Sequence, residues 1–210
     1  MRSRLISILC IIVLIPSCQM MLRLVTNTRK PKVYKTREAS HEKIVNTIER
    51  KGINNYQIVY RSADFLEEIG DTSVYTTNVK IFTSKGQQPD YNKSVALCED
   101  YSFKHKAFTK HGHSLDSVNW EVANDLANYT RCLEKVDSTR ISLSDSSYNY
   151  FVLMDYTTFA KGFQNRALRD LEDIPQFHDN DSVFYLFINK DIIEGSYYWN
   201  YRKKIKTSQD

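Results

Sequence analysis

Two continuous apolar runs separated by an amphipathic segment constrain the fold of this chain more than any other feature. The runs are YNYFVLMDY, which ends at Tyr156, and VFYLFI, from Val183 to Ile188. Unbroken runs of this kind are typical of strands that are buried on both faces of a sheet. The segment FQNRALRDLEDI lies between them and is predicted to form an amphipathic helix, which ends at Pro175. The apolar side of this helix comprises Phe163, Ala167, Leu168, Leu171 and Ile174. The block therefore predicts a parallel β-α-β unit.

The first half of the chain continues the alternation of helices and strands. Residues 40–51 predict a helix closed by Gly52, and Tyr56 to Tyr60 predicts a strand. A second helix follows Ser62 as its N-cap, and a strand then runs into a tight turn at Gly86. The order predicts an α/β domain over residues 39–201, with a central mixed sheet flanked by helices. Further on, apolar residues spaced by three and four predict a long helix from Val118 to Val136.

The first 18 residues predict export and lipid attachment. Arg2 and Arg4 precede an apolar stretch of 11 residues from Leu5 to Ile15, which is too short to span a membrane, since a helix needs ~20 residues for that. Ile15-Pro16-Ser17-Cys18 follows and resembles the lipobox of bacterial lipoproteins. The resemblance implies a signal peptide over residues 1–17, a diacylglyceryl group on Cys18, and a tether over residues 18–38. The alternatives are an uncleaved signal anchor and a signal peptide cut elsewhere.

The residues after Cys18 suggest an address in the cell envelope. Gln19 stands where an Asp would retain enteric lipoproteins at the inner membrane, and no acidic export signal follows. We therefore expect a periplasm-facing lipoprotein of the outer membrane, held by its lipid at Cys18. Removing Arg2 and Arg4 from the 29 basic residues leaves 27 against 25 acidic ones. This small excess does not favour nucleic acid as a partner.

Two pieces of the chain resemble halves of a thioredoxin-like fold in reversed order. VLMDYTTFAKGFQNRALRDLEDI resembles the central strand and active-site helix, and IVYRSADFLEEIG with VKIFTSKGQ resembles the later segment. The family's two redox cysteines would fall on Lys161 and Gln164, and Thr76-Thr77-Asn78 occupies the place of its cis-proline. Dithiol chemistry is therefore not implied. The resemblance leaves Asp155, Lys161 and Gln164 as candidates for a pocket. The chain as a whole is also similar to small uncharacterised lipoproteins of Bacteroidetes.

Two cysteines, Cys98 and Cys132, remain after the signal peptide and the lipid site are set aside. In an oxidising compartment such a pair predicts a disulfide, and two separate buried thiols are the alternative. A bond between them would close a loop of about 33 residues and contribute ~3–4 kcal/mol in the loop-entropy model.

Other candidate sites favour ordinary structure over chemistry. His105, His111 and His113 cluster in HKAFTKHGH, but their spacing matches no metal motif, and a solvated loop is the preferred interpretation. Asp179 and Asp181 in HDNDS lack the glycine and distal glutamate of a calcium loop, so a turn is preferred. Asp155 follows a buried strand, where a perturbed pKa could mark a site, although a solvent-facing carboxylate is the ordinary alternative. No metal, cofactor or catalytic motif is predicted.

The C-terminal GSYYWNYRKKIKTSQD interleaves aromatic and basic residues. Such segments can bind glycans, anionic lipid or single-stranded nucleic acid. The preferred interpretation is that the aromatic residues complete the core and that residues 202–210 form a solvated basic tail. The leading functional hypothesis is a non-enzymatic, lipid-anchored module for binding or envelope assembly, with an envelope protein as a candidate partner. A thiol-dependent or cryptic enzyme on a thioredoxin-like scaffold and a lipoprotein immunity factor are the alternatives.

Overall fold

The computed structural model describes residues 31–69, 79–89, 120–121, 125–143, 147–172, 174, 177 and 182–207. The helices in this part of the chain are α1 (Arg37–Glu49), α2 (Ala63–Ile69), α3 (Asp125–Thr130), α4 (Lys161–Glu172) and α5 (Tyr197–Thr207). The strands are β1 (Val33–Tyr34), β2 (Tyr56–Arg61), β3 (Val79–Thr83), β4 (Gln88–Pro89), β5 (Trp120–Glu121), β6 (Leu133–Glu134), β7 (Tyr150–Tyr156), β8 (Val183–Asn189) and β9 (Ile192–Ile193).

The central sheet has five strands in the order β3-β7-β8-β2-β6. Strands β7, β8 and β2 run parallel, with Val152 opposite Tyr185 and Ile58 opposite Phe187. The edge strands β3 and β6 run antiparallel to their neighbours. The α/β class with a mixed sheet is therefore confirmed. A thioredoxin-like arrangement is not confirmed by this topology and stays a prediction.

The predicted β-α-β unit is present as β7, α4 and β8. Residues 151–156 of β7 are all buried, and alternate residues of β7 and β8 face opposite sides of the sheet. On one side they pack against α1 and α4, through residues such as Ile44, Ile48, Leu168 and Leu171. On the other side they pack against α3 and the residues that follow it, through Leu126 and Cys132. The sheet is thus the middle layer of a three-layer structure.

The long helix predicted from Val118 to Val136 is wrong. Helix α3 covers only Asp125–Thr130, and Leu133–Glu134 forms strand β6 beside β2. Leu133 is 1% exposed because it enters the core from an edge strand, not from a helix. The spacing of its apolar residues fitted a helix by coincidence, since pairing with a strand some 70 residues earlier decided the structure.

The folded part extends beyond the predicted domain limits at both ends. Val33 and Tyr34 lie within the predicted tether, yet they pair in parallel with Ile192 and Ile193. Tyr34 is 6% exposed and belongs to the core. At the other end, the predicted solvated tail from residue 202 continues helix α5 as far as Thr207. Strands β1 and β9 have two residues each, which is too short for the alternation of apolar and polar residues that predicts a strand from sequence.

Candidate functional site

The carboxyl ends of three parallel strands meet at one edge of the sheet. Strand β2 ends at Arg61, β7 at Tyr156 and β8 at Asn189. In open α/β sheets, ligands bind in crevices outside these ends. The polar residues that follow the strands are therefore the first place to look for a site.

Asp191 is the centre of a buried hydrogen-bond network at this edge. Its Oδ1 accepts hydrogen bonds from Thr158 N at 2.7 Å and Thr158 Oγ1 at 3.0 Å, and its Oδ2 accepts one from Ser40 Oγ at 2.8 Å. Asn189 Nδ2 donates to the same Ser40 hydroxyl at 2.8 Å. Asp191 is 2% exposed, and burial raises the pKa of its carboxyl group against the lowering effect of these three donors. The network joins β7, α1 and the connection from β8 to β9.

Two tyrosines border this network. The hydroxyl groups of Tyr34 and Thr158 are 2.8 Å apart, and Tyr60 OH donates to Arg37 O at 3.2 Å. Burial raises the pKa of Tyr60 to about 12, so the phenol is neutral at ordinary pH. The Arg37 guanidinium lies 5.0 Å from the centre of the Tyr60 ring, which places a positive charge over the aromatic face.

Asp155 lies at the same edge but on the opposite face of the sheet. Its Oδ1 is 3.2 Å from Arg61 Nη2, and its Oδ2 is 3.3 Å from Lys190 Nζ. Asp155 is 3% exposed and Lys190 is 1% exposed. The ordinary alternative of a solvent-facing carboxylate at this strand end is therefore wrong. Asp155 instead holds two cations, one of which, Arg61, reaches the cavity described next.

A cavity of about 390 Å³ opens between these two polar groups. Its floor includes the buried residues Tyr60, Asn189 and Asp191. Residues that precede or begin α1 and α5 form much of its wall. The complete lining is Lys35, Thr36, Arg37, Tyr60, Arg61, Ala63, Leu66, Asn189, Asp191, Ile193, Glu194, Gly195, Ser196, Tyr197 and Tyr198.

The charge of the cavity lining is positive on balance. Lys35, Arg37 and Arg61 stand against Asp191 and Glu194. Burial raises the pKa of the Asp191 carboxyl group, and Glu194 is exposed to solvent, where its charge is screened. The amino-terminal ends of α1 and α5 add partial positive charge, because the first N–H groups of a helix lack intrahelical acceptors. The lining therefore carries a formal excess of one positive charge, and its two guanidinium groups also pair with Glu134 and Asp155 outside it.

The predicted pocket residues do not line this cavity. Gln164 is 1% exposed inside the fold, and its Nε2 donates to Thr157 Oγ1 at 3.0 Å. Gln164 Oε1 has no hydrogen-bond partner among the described residues. Lys161 is the first residue of α4, and its side chain lies outside the described part of the chain. Asp155 contributes to the cavity only through its ion pair with Arg61, which lines it.

Most of the other sequence candidates lie outside the described residues. Cys18, Cys98, the three histidines His105, His111 and His113, and the aspartates Asp179 and Asp181 all do. Cys132 is 8% exposed, and its Sγ lies 3.2 Å from Tyr129 O. Among residues whose placement is described, no group of three or more His, Cys, Asp or Glu could hold a metal ion.

The sequence interpretation missed Ser40, Thr158, Asn189 and Asp191. A signal for two of them was present, since Asn189-Lys190-Asp191 directly follows a fully buried strand. Polar residues at that position of an α/β sheet point to the ligand-binding edge. Ser40 carried no such signal, because only the packing of α1 brings it to Asp191.

A second cavity of about 410 Å³ lies beside the Gly86 turn. Leu126, Ile141 and Leu143 supply its apolar lining, and Lys85 and Arg131 are its charged residues. It is away from the carboxyl ends of the parallel strands and lacks a buried polar floor. The edge cavity is therefore the stronger candidate for a specific site.

Comparison of the chain with protein-family models, with curated proteins and with solved structures finds no significant match. None of the helices described here is both long and apolar enough to cross a membrane.

Proposed function

We propose that this chain is a lipid-anchored protein of the bacterial envelope whose α/β domain binds a small ligand bearing a carboxylate or phosphate group. The ligand occupies the edge cavity, and the domain acts as a binding module without chemistry of its own. The lipid on Cys18 holds the module at the outer membrane, facing the periplasm.

The observation that carries the binding proposal is the cavity at the carboxyl ends of β2 and β8. Its volume of about 390 Å³ falls in the range of small-molecule sites, which is roughly 300–1,000 Å³. Arg37 and Arg61 offer planar guanidinium groups, which recognise carboxylate and phosphate by paired hydrogen bonds. Both are oriented by other side chains, Arg37 by Glu134 and Arg61 by Asp155.

The role of Asp191 supports binding over acid–base catalysis. Both of its carboxylate oxygens already accept hydrogen bonds from groups of the protein. These bonds connect three elements of the fold beneath the cavity. Asp191 therefore supports the floor, and the cationic side chains make the contacts with the ligand.

The support for anchoring comes from the amino-terminal sequence. A short positive segment, an apolar stretch of 11 residues and Ser17-Cys18 form the pattern for lipid transfer to a cysteine. Two or three acyl chains anchor stably, whereas one chain binds only marginally.

The anchor is tested with a Cys18→Ala variant of the full chain expressed in a bacterial host. We expect wild type to incorporate an alkyne-tagged fatty acid and to remain in the membrane fraction. We expect the variant to lose the label. Equal labelling of both chains would contradict lipidation at Cys18.

The cavity is tested by thermal unfolding of the purified chain with inorganic phosphate, dicarboxylates and, as a comparison, choline. Bound ligand stabilises the native state by about 2.7 kcal/mol at a concentration of 100 Kd. We expect stabilisation by one class of anion and its loss in Arg37→Gln. Arg50→Gln is the matched control, because Arg50 is exposed at the other end of α1, about 20 Å away. Equal shifts in both variants, or no shift with any anion, would contradict the proposal.

A further inference from the structure

Helix α5 combines aromatic and basic side chains on the surface of the domain. Trp199 and Tyr201 are partly exposed, and Lys203 is exposed. Lys203 Nζ lies 4.8 Å from the centre of the Trp199 ring, so the charge and the indole occupy one patch. Tyr198 is only 6% exposed and fixes the helix to the domain. The patch is therefore held in a defined orientation.

The charge of α5 has a single sign. Its sequence, YYWNYRKKIKT, contains Arg202, Lys203, Lys204 and Lys206 and no acidic residue. Basic residues at the end of a helix are favoured by the helix dipole, which would explain one or two of them. Four basic residues within five positions, directly after tryptophan and tyrosine, are instead typical of a segment at a membrane surface. Indole and phenol rings are enriched where hydrocarbon meets headgroups, and clustered lysine and arginine attract anionic lipid.

The amino-terminal chain enters the fold beside α5. Strand β1 pairs in parallel with β9, with Val33 opposite Ile192, and Glu194 N donates to Tyr34 O at 2.8 Å. Helix α5 begins at Tyr197, five residues after Ile192. Fourteen residues lie between Cys18 and Val33, and even fully extended they reach only ~50 Å. A lipid on Cys18 would therefore keep the domain within ~50 Å of the membrane, with the tether leaving the domain beside α5.

We propose that the α5 patch, defined by Trp199, Arg202 and Lys203, lies against a phospholipid surface that carries anionic headgroups. The inference rests on the proposed lipid anchor for one step only, the confinement of the domain near the bilayer. Confinement raises the effective concentration of the surface, so a weak patch is enough to orient the domain. The attraction comes from the basic side chains, and the aromatic rings set the depth of contact.

The test uses the full chain in a Trp120→Phe background, in which Trp199 is the sole tryptophan. The chain is reconstituted into vesicles of phosphatidylcholine alone or with phosphatidylglycerol, each containing lipid brominated near the headgroup end. We expect at least twofold stronger quenching of Trp199 fluorescence in the anionic vesicles. Arg202→Glu with Lys203→Glu should abolish the difference. Arg50→Glu with Lys51→Glu, at the far end of α1, should keep it.

Two outcomes of the quenching measurement overturn the inference. Equal quenching in both kinds of vesicle would show that headgroup charge is not recognised. Absence of quenching, with a native circular dichroism spectrum, would leave α5 facing solvent or a protein partner. Acyl labelling of Cys18 is measured on the same preparations. Acyl labelling of Cys18 without quenching of Trp199 would contradict the membrane contact and leave the lipid anchor in place. Quenching of Trp199 without acyl labelling would contradict the lipid anchor and leave the membrane contact in place.

Discussion

Ser40 on helix α1 donates a hydrogen bond of 2.8 Å to Asp191, which follows strand β8 and lies 151 residues later in the chain. The same hydroxyl accepts from Asn189 Nδ2, so one side chain joins α1 to two residues at the end of β8. Ser40 is fully buried. The floor of the cavity is therefore formed by the fold itself, before any ligand binds.

Replacement of Ser40 by alanine should destabilise the domain by about 2 kcal/mol. The variant removes the hydrogen-bond partner of Asp191 Oδ2 and of Asn189 Nδ2 in a buried site, where an unsatisfied polar group costs roughly 1–3 kcal/mol. Urea unfolding measures the change. Asn46→Ala on the exposed side of the same helix is the control and should stay within about 0.5 kcal/mol. Equal losses in the two variants would contradict a structural role for the network.

The stability contributed by Asp191 should fall as the pH rises. Burial raises the pKa of its carboxyl group in the native state, so folding favours the protonated form. That contribution is complete below the unfolded pKa of about 3.9 and is lost as the pH rises through the native pKa. Asp191→Asn stays neutral and escapes this loss. The free energy of unfolding of the variant relative to wild type should therefore increase as the pH rises from about 4 through the native pKa. A difference that is constant or shrinks would contradict the raised pKa.

Removal of Asp155 should cost far more than removal of Glu134. Asp155 contacts Arg61 and the buried Lys190, and breaking a buried ion pair from one side costs about 3–5 kcal/mol. Glu134 pairs with Arg37 at 3.0 Å, but both side chains are partly exposed, and such pairs are worth about 0.2–1 kcal/mol. Urea unfolding of Asp155→Ala and Glu134→Ala gives the comparison. Similar values for both would show that Lys190 finds an adequate environment without Asp155.

If the chain is exported as we propose, the oxidising compartment should join Cys98 and Cys132 by a disulfide. Cys132 is 8% exposed, so a thiol reagent should react with it only slowly in the native chain whether or not the disulfide is present. The disulfide is therefore tested by mass. The unreduced protein should be lighter than the reduced protein by the mass of two hydrogen atoms. Cys132→Ser should remove that difference. Alkylation of both cysteines in unfolded protein without reductant would contradict the disulfide.

The parts of the fold that sequence predicted correctly are those with a local cause. Strands β7 and β8 are buried on both faces, so their apolar character is continuous, and α4 has a regular apolar side. Strand β6 was missed because its structure depends on pairing with β2, and β1 was missed because two residues pair with β9. The candidate site follows the same rule. Asp155 was noticed as a strand-end acid, whereas Ser40 acquires its role only through packing.

Gln164 should prove structural and not part of a ligand pocket. Its Nε2 bonds Thr157 Oγ1, and its Oε1 has no hydrogen-bond partner among the described residues. Replacing both members of a buried polar pair by apolar groups of similar shape is nearly neutral, whereas truncation leaves a cavity. Gln164→Met with Thr157→Val should therefore unfold within about 1 kcal/mol of wild type. Gln164→Ala alone should lose about 2 kcal/mol or more in the same urea titration. If the double variant loses as much as Gln164→Ala, the polarity of Gln164 is needed, and its oxygen would have to be satisfied by a group that the described residues do not supply.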